Sequence, residues 1–358
     1  MKIAVLAAHL PSPGRPKDGG VAYTAHHLAN RLAMRGHDIV VYSLDPRPFD
    51  ASYAVRTLSV GVPARGAGRW LAYWRLAWAL GQVDFSAFDA IHAHGNSLFV
   101  RPRGRPLVRT LHGAALAEAR HAPSWRSKAY YLSFAVSELV EAHRATSAVA
   151  ASHATRRYFP FVRRVVPLGI DLACFHPDGA RSPRPSILFV GTLRGRKGGD
   201  KLVQAFERVV RPALPEAELW LVSEAPADAP GTRYFNKPAT TALAELYRRA
   251  WVFCLPSAYE GFGLPYVEAL ASGTPVVATP NDGACEIMAN GRYGVLTDVE
   301  ALGPALLDLL RDPQRRAELA VCGLSRAQDF DLNRVVAEYE ALFREGPMRM
   351  PGRRGCIA

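Results

Sequence analysis

Two carboxylates, Glu260 and Glu268, stand with seven residues between them in the string Glu260-Gly261-Phe262-Gly263-Leu264-Pro265-Tyr266-Val267-Glu268. An apolar run, Trp251 to Leu255, precedes the string; Pro265 suits a first helical position and Gly273 suits the residue just past a helix end. The spacing therefore predicts strand, glycine turn and helix. Glycines let a backbone approach a ligand closely, and the free N–H groups at a helix start favour phosphate oxygens. Glu268, one turn into the helix, and Glu260, from the loop, would place an acceptor on either side of that turn. Such a pair suits a ligand that joins phosphates to sugar or ribose hydroxyls. A second loop, Gly191-Thr192-Leu193-Arg194-Gly195-Arg196-Lys197-Gly198, follows the apolar run Ser186 to Val190 and puts Lys197 at the rim where open α/β sheets bind ligands. Gly19 and Gly20 open a helical stretch after a first apolar strand, and His94 and His112 each end a further one. Taken singly, each feature also fits an ordinary turn, an exposed basic loop or a structural histidine.

The elements that would hold these residues alternate between strand and helix. Residues 1 to about 44 read as strand, helix, strand, because Val21, Ala25, Leu28 and Leu32 share a helical face and Gly36 stops it. Short apolar strands follow at Ala90 to Ala93, Leu107 to Leu111, Ser147 to Ala150 and Arg164 to Val166. A turn-rich stretch over residues 168–185 lacks periodicity and reads as a linker after a domain of residues 1–167. The pattern restarts over 186–330 with strands near Ser186, Glu218, Trp251 and Pro275 and helices over 201–210 and 241–249. An amphipathic helix over 331–345 and an Arg/Gly/Pro tail over 346–358 close the chain. Alternation of this kind predicts parallel sheets covered on both faces, an α/β class. Between Arg65 and Gly81, Trp70, Trp74 and Trp78 fall on one helical face with Arg65, Arg69 and Arg75 nearby, a stripe that could pack on the sheet or touch anionic lipid.

Composition narrows the function. A length of 358 residues with 49% hydrophobic content favours two domains. The longest apolar runs fall well short of the roughly 18 residues of a membrane-spanning helix, and the opening residues read as a strand, not a signal peptide. Cys174, Cys254, Cys285, Cys322 and Cys356 show no two-residue spacing, so neither a zinc site nor a disulfide framework is signalled, and a reducing, cytoplasmic compartment is expected. A net charge of +12 favours an anionic partner. The G-x-G-x-x-G fingerprint of dinucleotide-binding dehydrogenases follows none of the strands, and nucleic-acid-binding motifs are absent from the sequence.

The string from Ser257 to Val277 resembles the signature of the family 4 retaining glycosyltransferases. Gly19-Gly20, Phe88 to His94, Arg109 to Gly113, Val166 to Asp171 with Phe175-His176-Pro177, and Phe189 to Gly198 extend the resemblance over nearly the whole chain. It implies the GT-B architecture: two Rossmann-like parallel-sheet domains facing across a cleft, with the last helix crossing back towards the N-terminal domain. It further implies that Glu260 contacts the donor sugar, that Gly261, Phe262, Gly263 and Leu264 hold sugar and diphosphate through the backbone, and that Glu268 binds ribose hydroxyls. Lys197 matches the phosphate-binding lysine, Gly19 and Gly20 the family's glycine pair, and His112 the histidine beside the transferred sugar. The implied reaction moves a hexose-type sugar, with retention, from a nucleotide-diphosphate donor to a hydroxyl of a glycan, lipid-linked or small-molecule acceptor. No cofactor or divalent metal is expected, and peripheral contact with the inner face of the membrane is compatible with the charge. Two departures stand out: Thr192 replaces an arginine common in the family, so Arg194 or, preferably, Arg196 is expected to compensate, and Asn236 replaces a glycine in the base-recognition stretch. A GT-B epimerase or phosphorylase, and a basic nucleic-acid binder, are the alternative readings.

Overall fold

The computed structural model describes residues 1–11, 19–61, 68–122 and 124–345. The chain forms two compact units, the first gathering Met1–Ala150 and Tyr158–Val166 with the chain from Val336 onward, the second Ala151–Arg157 and Pro167–Val335. In the first unit, strands β1 (Lys2–Leu6), β2 (Asp38–Ser43), β3 (Ala54–Thr57), β4 (Ala90–Ala93), β5 (Leu107–Leu111), β6 (Ser147–Ala150) and β7 (Arg164–Val165) form a parallel sheet in the order β3-β2-β1-β4-β5-β6-β7. In the second, β8 (Ser186–Val190), β9 (Glu218–Val222), β10 (Thr232–Phe235), β11 (Val252–Leu255), β12 (Val276–Ala278) and β13 (Val295–Leu296) run parallel in the order β10-β9-β8-β11-β12-β13. Both sheets are wound outward from a central pair, β1 with β4 and β8 with β11, the doubly wound Rossmann-like pattern expected from the alternation of strands and helices.

The central strands read as continuous apolar runs because helices cover both faces. Every residue of β4, β5, β8 and β11 is buried, including Ile91, Val108, Leu188 and Phe253. The edge strands β3 and β10 were not legible: Arg56, Thr57, Arg233 and Tyr234 are exposed, and a half-wet edge carries no apolar run. Residues 168–185, read from sequence as a linker, pack on the second unit, where Leu168, Ile170 and Phe175 join its core and Ile170 pairs with Asp331. The helix expected over 201–210 begins at Gly199, widens into a π-helical turn at Phe206–Val210, and ends at Ala213. The last helix, Leu332–Arg344, lays Val336, Tyr339, Leu342 and Phe343 into the first unit's interior, and Glu340 there meets His37 at 2.9 Å and Arg35 at 3.0 Å. The tryptophan stripe divides. In the helix Gly68–Gly81, Trp74 stacks on Phe134, whereas Trp70 and Trp78 stay exposed; Arg65 and the tail 346–358 lie outside the described residues.

Candidate active site

In open α/β sheets, ligands bind beyond the carboxyl ends of the strands where the winding reverses. In the second unit that point lies between β8 and β11, and the loops leaving these two strands are the ones that carry Lys197 and Glu260. They are stitched together by backbone and side chain. Ala258 donates its N–H to the carbonyl of Arg196 at 2.9 Å, and Ser257 Oγ lies 3.2 Å from the same carbonyl. Lys197 Nζ reaches Glu260 Oε1 at 2.6 Å, Ser257 Oγ donates to that oxygen at 2.7 Å, and Arg196 Nη1 stands 3.6 Å from it while donating to the carbonyl of Tyr259. Glu260 is thereby oriented by three groups, two of them cationic. Arg194 and Thr192 are exposed on the same loop, and the N–H of Leu193 donates to the carboxylate of Glu224 at 3.0 and 3.1 Å.

Two helices start at this point. Gly198 precedes Gly199–Ala205 with φ +67°, and Gly263 precedes Leu264–Ala271 with φ +98°. Both are left-handed, a conformation glycine adopts without a Cβ penalty. A Cβ on Gly198 would lie 2.4 Å from the carbonyl oxygen of Pro256, so the two loops approach more closely than any other residue would permit. Neither helix start has a side-chain cap, whereas Ser152 and Asn281 cap other helices of the unit by accepting from Thr155 and Ala284. Gly261, Phe262, Gly263 and Leu264 therefore lead into a helix terminus at which Pro265 has no N–H, Tyr266 donates its own to the carbonyl of Gly263 at 2.9 Å, and no side chain accepts from the leading N–H of Leu264, a place where an anion can be received. Glu268, one turn further, is buried and accepts from the hydroxyl of Tyr247 at 2.7 Å.

The first unit carries the histidines. His94 follows β4, and its N–H donates to the carbonyl of Leu6; His112 follows β5. Their rings stack with His94 Nδ1 and His112 Nε2 at 2.8 Å, one donating to the other. His92 Nε2 meets Thr110 Oγ1 at 2.9 Å, and Thr110 Oγ1 meets the hydroxyl of Tyr339 at 2.8 Å. Burial, then the neighbouring histidines and Arg109, hold His92 and His112 well below the usual imidazole value; burial and then Arg109 hold His94 at about 3. All three rings are thus neutral at pH 7. Nδ1 of His92, Nε2 of His94 and Nδ1 of His112 are buried without a protein partner. Arg109 itself is buried against Glu141 at 2.9 Å, and Glu141 accepts further from Tyr73, Ser97 and Ser137. Gly19 and Gly20 begin the helix Gly19–Met34; residues 12–18, which lead from β1 to it, lie outside the described residues.

The structure thus brings Lys197, Arg196, Glu260 and the turn Gly261–Leu264 together in the second unit, with Glu268 on the same helix, and His112 with His94 in the first. Sequence reading included Ser257 in the signature string without giving it a role, and missed Tyr247, Asn281 and Gly283, which hold the loop and the helix behind it. Asn281 Nδ2 donates to the carbonyl of Ser257 at 3.0 Å, and the N–H of Gly283 donates to that of Glu260 at 3.0 Å. Their only signal was proximity to the motif in the chain. Among the described residues no group of three or more His, Cys, Asp or Glu side chains could hold a metal, and no helix is long and apolar enough to cross a membrane.

Comparison with known proteins places this geometry. A family described as Glycosyltransferase Family 4 matches residues 18–173, and one described as Glycosyl transferases group 1 matches residues 184–312. Glycogen synthase of Mycobacterium tuberculosis (strain CDC 1551 / Oshkosh) is 31% identical over 375 residues, covering 88% of this chain and 89% of its own. Sucrose-phosphate synthase from Thermosynechococcus elongatus superposes with a TM-score of 0.80 at 22% identity, covering 96% of this chain and 98% of its own. A protein of Anabaena solved in complex with UDP-glucose superposes with a TM-score of 0.71 at 20% identity, covering 95% of this chain and 99% of its own. Doubly wound sheets, signature loops and relatives agree: the chain belongs to the group 1, family 4 glycosyltransferases of GT-B fold.

Proposed function

We propose that the second unit binds a nucleotide-diphosphate sugar and that the enzyme transfers its sugar, a hexose, with retention of configuration to a hydroxyl of a glycan, lipid-linked or small-molecule acceptor. The observation that carries this reading is the convergence of Lys197, Arg196 and two uncapped, glycine-led helix starts on the Glu260 loop at the winding reversal. A diphosphate meets cations and backbone N–H groups there, and the glutamates meet hydroxyls. Glu260 takes hydroxyls of the transferred sugar, Gly261 to Leu264 hold sugar and diphosphate through the backbone, and Glu268, steadied by Tyr247, takes the ribose. In the first unit, Gly19 and Gly20 face the diphosphate or acceptor, and neutral His112 contacts the transferred sugar as a hydrogen-bonding group.

In the reaction as proposed, the bond from the anomeric carbon to the diphosphate oxygen breaks and the acceptor oxygen bonds to the same face of that carbon. The acceptor proton passes to an oxygen of the leaving diphosphate. No protein nucleophile is required. Catalysis consists of positioning and of stabilising charge on the leaving group by Lys197, Arg196 and the helix starts. The test is a thermal-shift and calorimetric screen of UDP, GDP, ADP and their common sugar conjugates on the parent and on Lys197→Ala. A ligand that binds only the folded state raises its melting temperature. One nucleotide series should stabilise the parent and bind the variant far more weakly. If no nucleotide or sugar nucleotide binds, or if Lys197→Ala binds as the parent does, the reading fails.

A further inference from the structure

We propose that the outer face formed by the helices Gly68–Gly81 and Trp125–Arg144 of the first unit docks the enzyme on a bilayer surface bearing anionic lipid. The helix Trp125–Arg144 is amphipathic, but a second apolar stripe faces outward. Phe134, Ser137, Glu141 and Ala142 are its buried positions, while Trp125, Leu132, Val136 and Leu139, at helical spacing on the other side, are 76%, 42%, 65% and 43% exposed. The helix Gly68–Gly81 lies alongside, with Trp70 Nε1 donating to Ser133 at 3.1 Å and the hydroxyl of Tyr73 donating to Glu141 at 2.9 Å. It adds exposed Trp70 and Trp78 to the surface. Isolated exposed apolar residues need no explanation, but a stripe along a helix of this length with tryptophans beside it marks a contact surface.

Charge selects the occupant. The two helices carry only two carboxylates, and both point inward: Glu141 is buried against Arg109, and Glu138 accepts the N–H of Ala115 at 2.8 Å. The outward charges are Arg75, Arg126, Lys128 and Arg144, all exposed and all positive. A second copy of the same face would oppose like charges, which disfavours self-association. An anionic lipid surface accepts both features, the cations at headgroup level and tryptophan and aliphatic side chains just below. A lipid-linked acceptor would be reached in the same encounter.

The experiment is sedimentation with vesicles of phosphatidylglycerol and phosphatidylcholine, compared with vesicles of phosphatidylcholine alone. The parent should bind the anionic vesicles, with a blue shift of tryptophan emission, and bind the neutral ones weakly. Each surface cation strengthens membrane partition about fivefold, so Arg126→Glu with Lys128→Glu should weaken binding by about 25-fold or more. Trp125→Ser with Val136→Ser should weaken binding to the anionic vesicles and reduce the emission shift. All four positions are exposed, so both variants should keep the parent's melting temperature and its affinity for nucleoside diphosphate. Equal binding to neutral vesicles, unchanged binding by the charge-reversed variant, or a dimer of the parent that the Trp125/Val136 variant dissociates would overturn the proposal.

Discussion

Acidification should unfold the first unit through its buried histidines, and the size of the effect follows from their surroundings. His92, His94 and His112 are held neutral in the folded protein, well below the ordinary value of 6.5, by burial first, then by neighbouring histidines and Arg109 for His92 and His112 and by Arg109 for His94. In the unfolded chain they protonate near 6.5. Below that pH the unfolded state binds protons that the folded state refuses, so stability falls as pH falls, by about 1.4 kcal/mol per pH unit for each ring. Three rings amount to about 4 kcal/mol per unit. Glu138 opposes them, because burial raises its carboxyl to about 7, from an ordinary 4.5. Between these values the folded state keeps a proton that the unfolded state has lost, so this group adds stability as pH falls, again about 1.4 kcal/mol per unit at most. The histidines win, and the net loss between about pH 6 and pH 5 should be roughly 3 kcal/mol, a large part of the 5 to 15 kcal/mol typical of a domain. Urea unfolding followed by circular dichroism at the two pH values measures it. His94→Gln with His112→Gln removes two of the three rings and should remove about two thirds of the histidine contribution to the slope. A stability that is flat or rises on acidification, or a double variant with the parent's slope, would refute the assignment of neutral rings.

The proposed roles of the site residues separate by readout. Glu260→Ala should chiefly depress turnover and Glu268→Ala chiefly weaken nucleoside diphosphate binding in calorimetry; unchanged affinity in the Glu268 variant would end its ribose role. Tyr247→Phe removes the donor that orients Glu268 and should weaken the same nucleotide about tenfold to a hundredfold, in line with roughly 1.5 to 3 kcal/mol for a hydrogen bond to a charged group. Lys197→Ala and Arg196→Ala should each cost about two orders of magnitude in turnover, or on the order of 2 to 4 kcal/mol, while Arg194→Ala stays within a few-fold. If Arg194→Ala and Arg196→Ala both resemble the parent at fixed ionic strength, Arg196 does not compensate for Thr192. Turnover should survive EDTA; loss on chelation that magnesium or manganese restores would contradict a diphosphate neutralised by side chains and helix starts alone.

What the sequence disclosed depended on how local each feature is. The core strands announced themselves because both their faces are buried, so β5 and β8 read as unbroken apolar runs. The Glu260 turn was legible because strand, glycines, Pro265 and helix all lie within one contiguous string. The network around Arg109 was not, because its carboxylate is 32 residues away and the tyrosine on that carboxylate a further 68 from it. Spacing rules reach one or two helical turns, and a pair closed by the fold leaves no periodic trace. The same limit hid Tyr247 from Glu268, 21 residues on. The tryptophan stripe shows the complementary failure: periodicity put Trp70, Trp74 and Trp78 on one face, yet only tertiary packing decided that Phe134 would cover Trp74.

The replacement at Thr192 can be weighed against the charges that the loops after β8 and β11 retain. Residues 191–198 and 257–264 hold three cations, Arg194, Arg196 and Lys197, against one carboxylate, Glu260. Lys197 gives one of its three donors to Glu260, and Arg196 gives one of its five to the carbonyl of Tyr259. Their contacts with Glu260 then work in favour of binding, since a cation already oriented by a carboxylate loses little freedom when phosphate arrives. Both arginines are exposed, but Arg196 stands 3.6 Å from Glu260, and we therefore expect it, before Arg194, to take the place of the missing arginine. Glu224 adds a constraint. Its carboxylate occupies the N–H of Leu193, next to Thr192, and an anion there would repel a phosphate placed at the same amide. Either the diphosphate sits nearer Gly198 and Gly263, where the helix starts have no carboxylate cap, or Glu224 must swing away. Glu224→Gln distinguishes the two: tighter nucleoside diphosphate binding means that Glu224 competes at the Leu193 amide, and unchanged binding places the phosphates at the glycine-led helix starts.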